Sequence, residues 1–398
     1  MTYTESIDSI FQRALSTPRL FRFHDALRSD FVPENLPFRA NQVTSTAQTL
    51  APLLHTSKPS NLLIYGKTGT GKTAVVKHVL TKLNNTCSTK KITAKFIYCN
   101  TRMAGTEYRI LAELGTGVGV SIPFTGLALS EVLSRVQNFM RVHSLPTILV
   151  LDEIDYLVKS FGDGLLYDLT DSSDKINPGF LSLIGISNDL HFKEDLGARV
   201  LSRLSEEELV FPPYTAIELK TILHERAKFA FSPDAYTDAA VNLCAALSGS
   251  EHGDARRAVD LLRIAGEVAE REGGKQLDEK HVRIALQKID QDRITDAIRT
   301  LPLHAKLVLI ATVDNETGSS SGSIYQKYTK LCQLASSEPL TTRRVSGLIT
   351  ELDTLGLITA TVVNYGRYGR TKKIVPHTSI EALRDAFRSD DVVSQLVL

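Results

Sequence analysis

Residues 66–73 read GKTGTGKT, and no other stretch restricts the fold of this chain as strongly. The octapeptide fits G-x-x-x-x-G-K-[ST], a motif that carries meaning only between a strand and a helix. Both flanks comply: the apolar run NLLIY (61–65) precedes it and AVVKHVL follows with helical spacing. Glycines let backbone N–H groups wrap an anion, and the N-terminus of the next helix faces negative charge. Lys72 is placed to add a point charge at β/γ phosphate oxygens, and the Thr73 hydroxyl can ligate Mg²⁺. A loop built from Gly66, Lys67, Thr68, Gly69, Thr70, Gly71, Lys72, Thr73 and Ala74 is therefore expected to hold ATP or ADP with Mg²⁺.

A second run, TILVLDEID (147–155), ends in adjacent carboxylates. A segment so apolar reads as a strand buried on both faces, with its acids at the C-terminal edge where open α/β sheets place ligands. Asp152 is the candidate to hold Mg²⁺ through water, and Glu153 the candidate to orient and deprotonate a water attacking the γ-phosphate. KFIYCN (95–100) and FLSLIGISND (180–189) read as further strands, with helical segments expected near 104–114 and 127–142. Alternating strands and helices make an α/β fold with a doubly wound parallel sheet. Asn188, at the end of the last strand, either senses the γ-phosphate or terminates the strand with a turn.

From Tyr214 to about Ile289 the strand signals vanish and four helical segments follow, the pattern of a small helical lid. A charged stretch at 290–300 reads as a connector to a third unit of three helices and a hairpin, the layout of a winged helix. The expected domains are 1–213, 214–295 and 296–398. The third helix of the last domain carries Thr341, Thr342, Arg343 and Arg344 in its first turns, where hydroxyls can cap it and recognition helices meet base edges. The hairpin tip adds Arg367, Tyr368, Arg370, Lys372 and Lys373 without an acid. These cations fit phosphates of double-stranded DNA, although winged helices also bind protein.

Bulk numbers support that local reading. Lys plus Arg (46) nearly balance Asp plus Glu (45), so a nucleic-acid site must come from clustering, and residues 320–375 hold 8 cations against 3 acids. No apolar run approaches the roughly 18 residues that span a bilayer, and no secretory h-region opens the chain, so a cytoplasmic, nucleoid-associated protein without a membrane partner is expected. Cys87, Cys99, Cys244 and Cys332 lack any C-x-x-C pairing and read as reduced core thiols.

Taken in order, GKTGTGKT, VLDEID, GISND, ARVLSRLSEEELVFPPY (198–214) and GDARRAVDLLRIAGEVAERE (253–272) resemble the AAA+ ATPases. Within them the chain is similar to the archaeal and eukaryotic origin-recognition and helicase-loading initiators, over roughly residues 15–375. The resemblance implies Asn188 as first sensor, Arg256 as second sensor reaching the γ-phosphate from the lid, and Tyr214 beside the nucleotide. It also implies an arginine finger at Arg203 or, second, Arg199. At 37–40 the chain reads PFRA where the family usually shows Pro-His-Arg-Glu, a departure on the adenine side. Residues 101–127 match the position of a helical insert through which such initiators touch DNA, here apolar and glycine-rich. The implied function is an ATP-dependent initiator at replication origins that uses slow hydrolysis as a switch and has the replicative helicase and further initiator copies as partners. A clamp-loader-like remodelling ATPase and an ATP-gated transcription regulator are the alternatives.

Overall fold

The computed structural model describes residues 19–28, 31–251, 253–313, 318–364, 370–377, 380–388, 390 and 392–396, and divides into two units, Met1–Val282 and Arg283–Leu398. The first unit begins with helix α1 (Ala40–Leu50), strand β1 (Leu62–Tyr65) and helix α2 (Lys72–Lys90), whose N-cap is Gly71 of the GKTGTGKT loop. Strand β2 (Lys95–Asn100) leads into an insert made of α3 (Thr101–Ala104) and α4 (Glu107–Val118), and α5 (Leu129–Val142) returns the chain to β3 (Pro146–Asp152). Next come α6 (Ile154–Phe161), α7 (Gly164–Thr170), β4 (Phe180–Ser187), α8 (Ala198–Leu204) and the edge strand β5 (Glu207–Val210). All four pairings are parallel, in the order β2-β3-β4-β1-β5.

Every residue of β3 is buried, and alternate residues serve opposite faces. Ile148 and Val150 pack with Leu62, Ile64, Ile184 and Val76 on one side. Leu149 and Leu151 pack with Leu63, Ile97, Leu114 and Val136 on the other. A strand covered by helices on both faces has no reason to alternate with polar residues, and each buried Leu or Ile contributes roughly 1.5–3 kcal/mol. The parallel arrangement brings the ends of β1, β2, β3 and β4 to one edge, where the expected chemistry gathers.

Four helices form the lid: α9 (Ala216–Ala230), α10 (Asp238–Glu251), α11 (Ala255–Arg271) and α12 (Glu279–Thr300). Thr215 and Glu218 form a capping box at the start of α9. At α11 the Asp254 carboxylate accepts the N–H groups of Arg256 and Arg257 at 2.8 and 3.1 Å. An N-terminal strap that sequence patterning passes over is fastened to this lid. Leu20 and Phe21 donate their N–H groups to Glu270 Oε1 at 2.7 and 3.2 Å, and Phe21 stacks on Phe231.

The second unit holds α13 (Leu303–Val313), the short strand β6 (Ser319–Ser320), α14 (Ser321–Leu334), α15 (Thr342–Thr354), β7 (Ile358–Asn364), β8 (Arg370–Pro376) and α16 (Ile380–Phe387). Its sheet is antiparallel, ordered β6-β8-β7, over a core that includes Leu307, Tyr328, Ile349, Leu352, Ile374 and Phe387. The winged-helix layout stands, extended by β6 and α16. Three local expectations change. The 290–300 stretch is not a connector but the end of α12, because Ile294 and Ile298 pack into the core of the second unit. The segment expected near 104–114 is two helices broken at Gly105, whose φ is +72°. Thr341 occupies the N-cap of α15 without a side-chain cap bond. The turn before it is held instead by Tyr325 Oη donating to Leu340 O at 3.1 Å and Leu340 N donating to Tyr328 Oη at 3.0 Å.

Candidate functional site

The loop between β1 and α2 is closed by its own lysine. Lys72, buried to 4 % exposure, donates from Nζ to Gly66 O at 2.7 Å and Lys67 O at 2.8 Å. Burial pushes its ammonium down to about 8, and Arg256 works in the same direction while Asp152 opposes it. Thr73 Oγ1 donates to Asp152 Oδ2 at 2.9 Å, which joins the start of α2 to the end of β3. The Tyr98 hydroxyl donates to the same carboxylate oxygen, and burial followed by that bond drives the phenol well above its ordinary range.

Glu153 follows with φ +55°, a left-handed backbone seldom adopted by side chains other than glycine and a form of strain that gathers at functional sites. Asn100 Nδ2 donates to Glu153 Oε1 at 3.2 Å, and Arg102 Nη1 stands 3.7 Å from Oε2. The Asn100 side chain also accepts the Met103 N–H at 3.0 Å, so one amide joins Glu153 to the first turn of the insert.

A cleft of about 860 Å³ covers this edge. Thr68 to Ala74, Asp152, Glu153, Asn188, Tyr214 and Arg256 all line it, whereas Gly66 and Lys67 stand behind it and turn their carbonyls to Lys72. The lid rests directly on the loop: Ala255 N donates to Gly69 O at 3.1 Å. Gly69, with φ +72°, has no room for a side chain there, since a Cβ would lie 1.7 Å from Asp254 Oδ1.

Residues that sequence reasoning missed build the rest of the cleft. The strap supplies Val32, Pro33, Leu36 and Pro37, and the lid supplies Ile222, Phe229 and Val259. Together they make an apolar wall, which sequence could have flagged only through the departure at 37–40. Arg39, in that departure, is 2 % exposed and donates to Thr70 O at 2.9 Å and Pro212 O at 2.6 Å, with its guanidinium 3.8 Å from the centroid of the Tyr214 ring.

Arg226 fastens the strap to α9, donating to Ala26 O at 2.9 Å and Phe31 O at 3.0 Å. Arg226→Ala is expected to cost about 2 kcal/mol through the loss of two charge-assisted bonds, read by urea unfolding, and to weaken ADP binding because the wall loses its anchor.

The expected arginines of α8 differ in their surroundings. Arg203 Nη1 pairs with Asp171 Oδ1 at 2.5 Å. Arg199 is exposed and forms no ion pair among the described residues. Neither lines the cleft. In the insert, Phe124 is 99 % exposed.

In the second unit Thr341, Thr342, Arg343 and Arg344 are all exposed, and no acid lies in the first turn of α15. Lys373 is exposed, while Lys372 Nζ donates to Thr350 Oγ1 at 2.9 Å. Arg367 and Tyr368 lie outside the described residues, and for Arg370 only the backbone is described, opposite Asn364. The four cysteines are buried and free. Among the described residues no helix is long and apolar enough to cross a membrane.

Comparison with known proteins gives the same division. Residues 55–191 match the AAA domain, 220–287 the Cdc6 AAA+ ATPase-type lid domain, and 296–386 the CDC6 C-terminal winged helix domain. An ORC1-type DNA replication protein of Pyrococcus abyssi is 44% identical over 399 residues, covering 98% of this chain and 95% of its own length. ORC1-type DNA replication protein 1 of Sulfurisphaera tokodaii is 47% identical over 373 residues, 92% of each chain. The Aeropyrum pernix ORC1 protein, solved in complex with DNA, superposes with a TM-score of 0.81 at 44% identity and covers 95% of this chain and 99% of that one. Cdc6p from Pyrobaculum aerophilum shares the fold, with a TM-score of 0.61 at 21% identity, covering 95% and 98%. With relatives this similar along nearly the whole length, and with Cdc6-type lid and winged-helix domains matched in order behind an AAA domain, the chain belongs to the ORC1/Cdc6 family of AAA+ DNA replication proteins.

Proposed function

We propose that this protein is an ATP-dependent initiator of DNA replication, in which the AAA+ unit binds ATP or ADP and hydrolyses ATP slowly as a switch, while the winged helix binds origin duplex. One observation carries the reading: a single chain joins a cleft lined by Lys72, Thr73, Asp152, Glu153, Asn188 and Arg256 to a helix whose exposed first turn holds Arg343 and Arg344 without an acid. The Aeropyrum relative solved with DNA supports the second half.

In the cleft, Lys72 and the loop N–H groups take the phosphates, and the apolar wall of strap and lid takes the adenine. Thr73 and Asp152 are hard oxygen donors in hydrogen-bond contact, a set that fits Mg²⁺, which is bound by few protein ligands and keeps its waters. When bound, Mg²⁺ supplies charge neutralisation at the phosphate oxygens. Glu153 is the base for the attacking water, and Asn188 and Arg256 are the sensors on either side of the γ-phosphate. Asn100 and Arg102 hold both oxygens of Glu153, which must be freed before it takes a proton; that arrangement suits slow turnover. The pair with Asp171 commits Arg203 within its own protomer, which favours Arg199 as the arginine offered to a neighbouring copy. Adjacent initiator copies and the replicative helicase are the partners this role requires.

Footprinting on duplex DNA with ATP or ADP at several salt concentrations tests the proposal, and the absence of any preferred site counts against it. The double variant Arg343→Ala, Arg344→Ala is expected to weaken duplex binding and lower the log–log salt slope by about 1.8, at roughly 0.9 per lost phosphate contact. An unchanged slope places the duplex on another surface. Steady-state ATPase with and without DNA separates a slow switch from a motor with brisk, DNA-stimulated turnover.

A further inference from the structure

The Tyr98 hydroxyl has no part in the roles assigned so far. Tyr98 lies on β2, opposite Val150 of β3, with its ring on the cleft wall and 37 % exposed. A tyrosine on an edge strand could direct its hydroxyl to solvent; this one donates to Asp152 Oδ2. That oxygen also accepts from Thr73 Oγ1 at 2.9 Å, and Oδ1 accepts the Glu153 N–H at 2.9 Å. A carboxylate offers about four acceptor positions, so the chain itself fills three of them. The position left open is on Oδ1. Above the ring, Lys77 Nζ stands 4.5 Å from the centroid and fixes the phenol from its other side.

We propose that Tyr98 is a positioning residue for the divalent cation of the nucleotide site: its hydroxyl holds Asp152 in one orientation and leaves a single acceptor position for a metal-bound water. The inference rests on reading Thr73 and Asp152 as the residues that hold the cation. It assigns to Tyr98 a role in metal affinity that neither the loop motif nor the paired acids imply. Outer-shell partners of this type typically change metal affinity or activity by about 10–100-fold when removed.

Tyr98→Phe removes the hydroxyl and keeps the ring and its contact with Lys77. Two quantities are measured on the full chain: Mn²⁺ affinity of the ADP complex by electron paramagnetic resonance, and ADP affinity in EDTA by calorimetry. Mn²⁺ affinity is expected to fall by about tenfold or more, while ADP affinity in EDTA stays within twofold and the unfolding temperature in EDTA matches the parent. Mn²⁺ affinity within twofold of the parent, or tighter, overturns the proposal. An equal loss of ADP affinity in EDTA overturns it too, because it shows a general role in the cleft. If the parent complex itself binds no Mn²⁺, the metal reading of Thr73 and Asp152 falls and the proposal falls with it, an outcome distinct from a normal parent and an unaltered variant.

Discussion

Titration calorimetry of the Lys72→Ala variant is expected to detect no ADP binding at concentrations that saturate the parent chain, a loss of about a hundredfold or more. The side chain is buried, and without ligand its ammonium is served by two loop carbonyls, those of Gly66 and Lys67. Burial has pushed it down to about 8, which means its charged form is under-compensated in the empty loop. Phosphate oxygens supply the missing counter-charge, so binding trades neutral acceptors for anionic ones. Hydrogen bonds to charged groups are worth about 1.5–3 kcal/mol each, and two of them exceed the ~2.7 kcal/mol that corresponds to a hundredfold change. Alanine also leaves the carbonyls of Gly66 and Lys67 facing one another without a donor, so the loop loses the shape that presents its N–H groups. A dissociation constant within tenfold of the parent would mean that the phosphates lie elsewhere.

Much of this site is legible in sequence because its parts are local. GKTGTGKT sits inside one strand–loop–helix unit, and VLDE ends a strand whose apolar run reflects helices on both faces. Cleft residues that depend on distant segments are not legible in the same way. Arg226 reads as an ordinary cation in HERAKFAF, yet its partners are Ala26 and Phe31, about 200 positions away. Leu20 and Phe21 find Glu270 across 250 positions, and nothing in the composition of the strap announces it. Tyr98 looks like a β-former in KFIYCN; its hydroxyl acquires meaning only when parallel pairing sets β2 beside β3. Charge misled the reading at 290–300, where Asp290, Asp292 and Arg293 suggested a connector while Ile294 and Ile298 kept a helical spacing that packs inward. The hydroxyls at 341 and 342 suggested a cap, but the turn is set by Tyr325 and Tyr328 from the preceding helix.

The complementary variant, Glu153→Gln, is expected to leave ADP and ATP affinity within about twofold while hydrolysis falls by about 10²–10⁴, the usual contribution of a positioned general base. Glutamine matches glutamate in size and can adopt the same left-handed backbone at no greater strain, so the loop after β3 keeps its course. Its amide oxygen still accepts from Asn100 Nδ2, which preserves the link to the first turn of the insert. The ion pair with Arg102 is lost, but Arg102 is 71 % exposed in that pair and such contacts are worth only about 0–1 kcal/mol. What disappears is the capacity to take a proton from the attacking water. Single-turnover hydrolysis of radiolabelled ATP measures this directly, and a rate equal to that of the parent removes Glu153 from the role of base. Because the variant holds ATP without consuming it, duplex affinity measured on it reports the ATP state alone. A difference from the ADP state then gives the free energy by which the nucleotide governs the winged helix, and equal affinities exclude the switch.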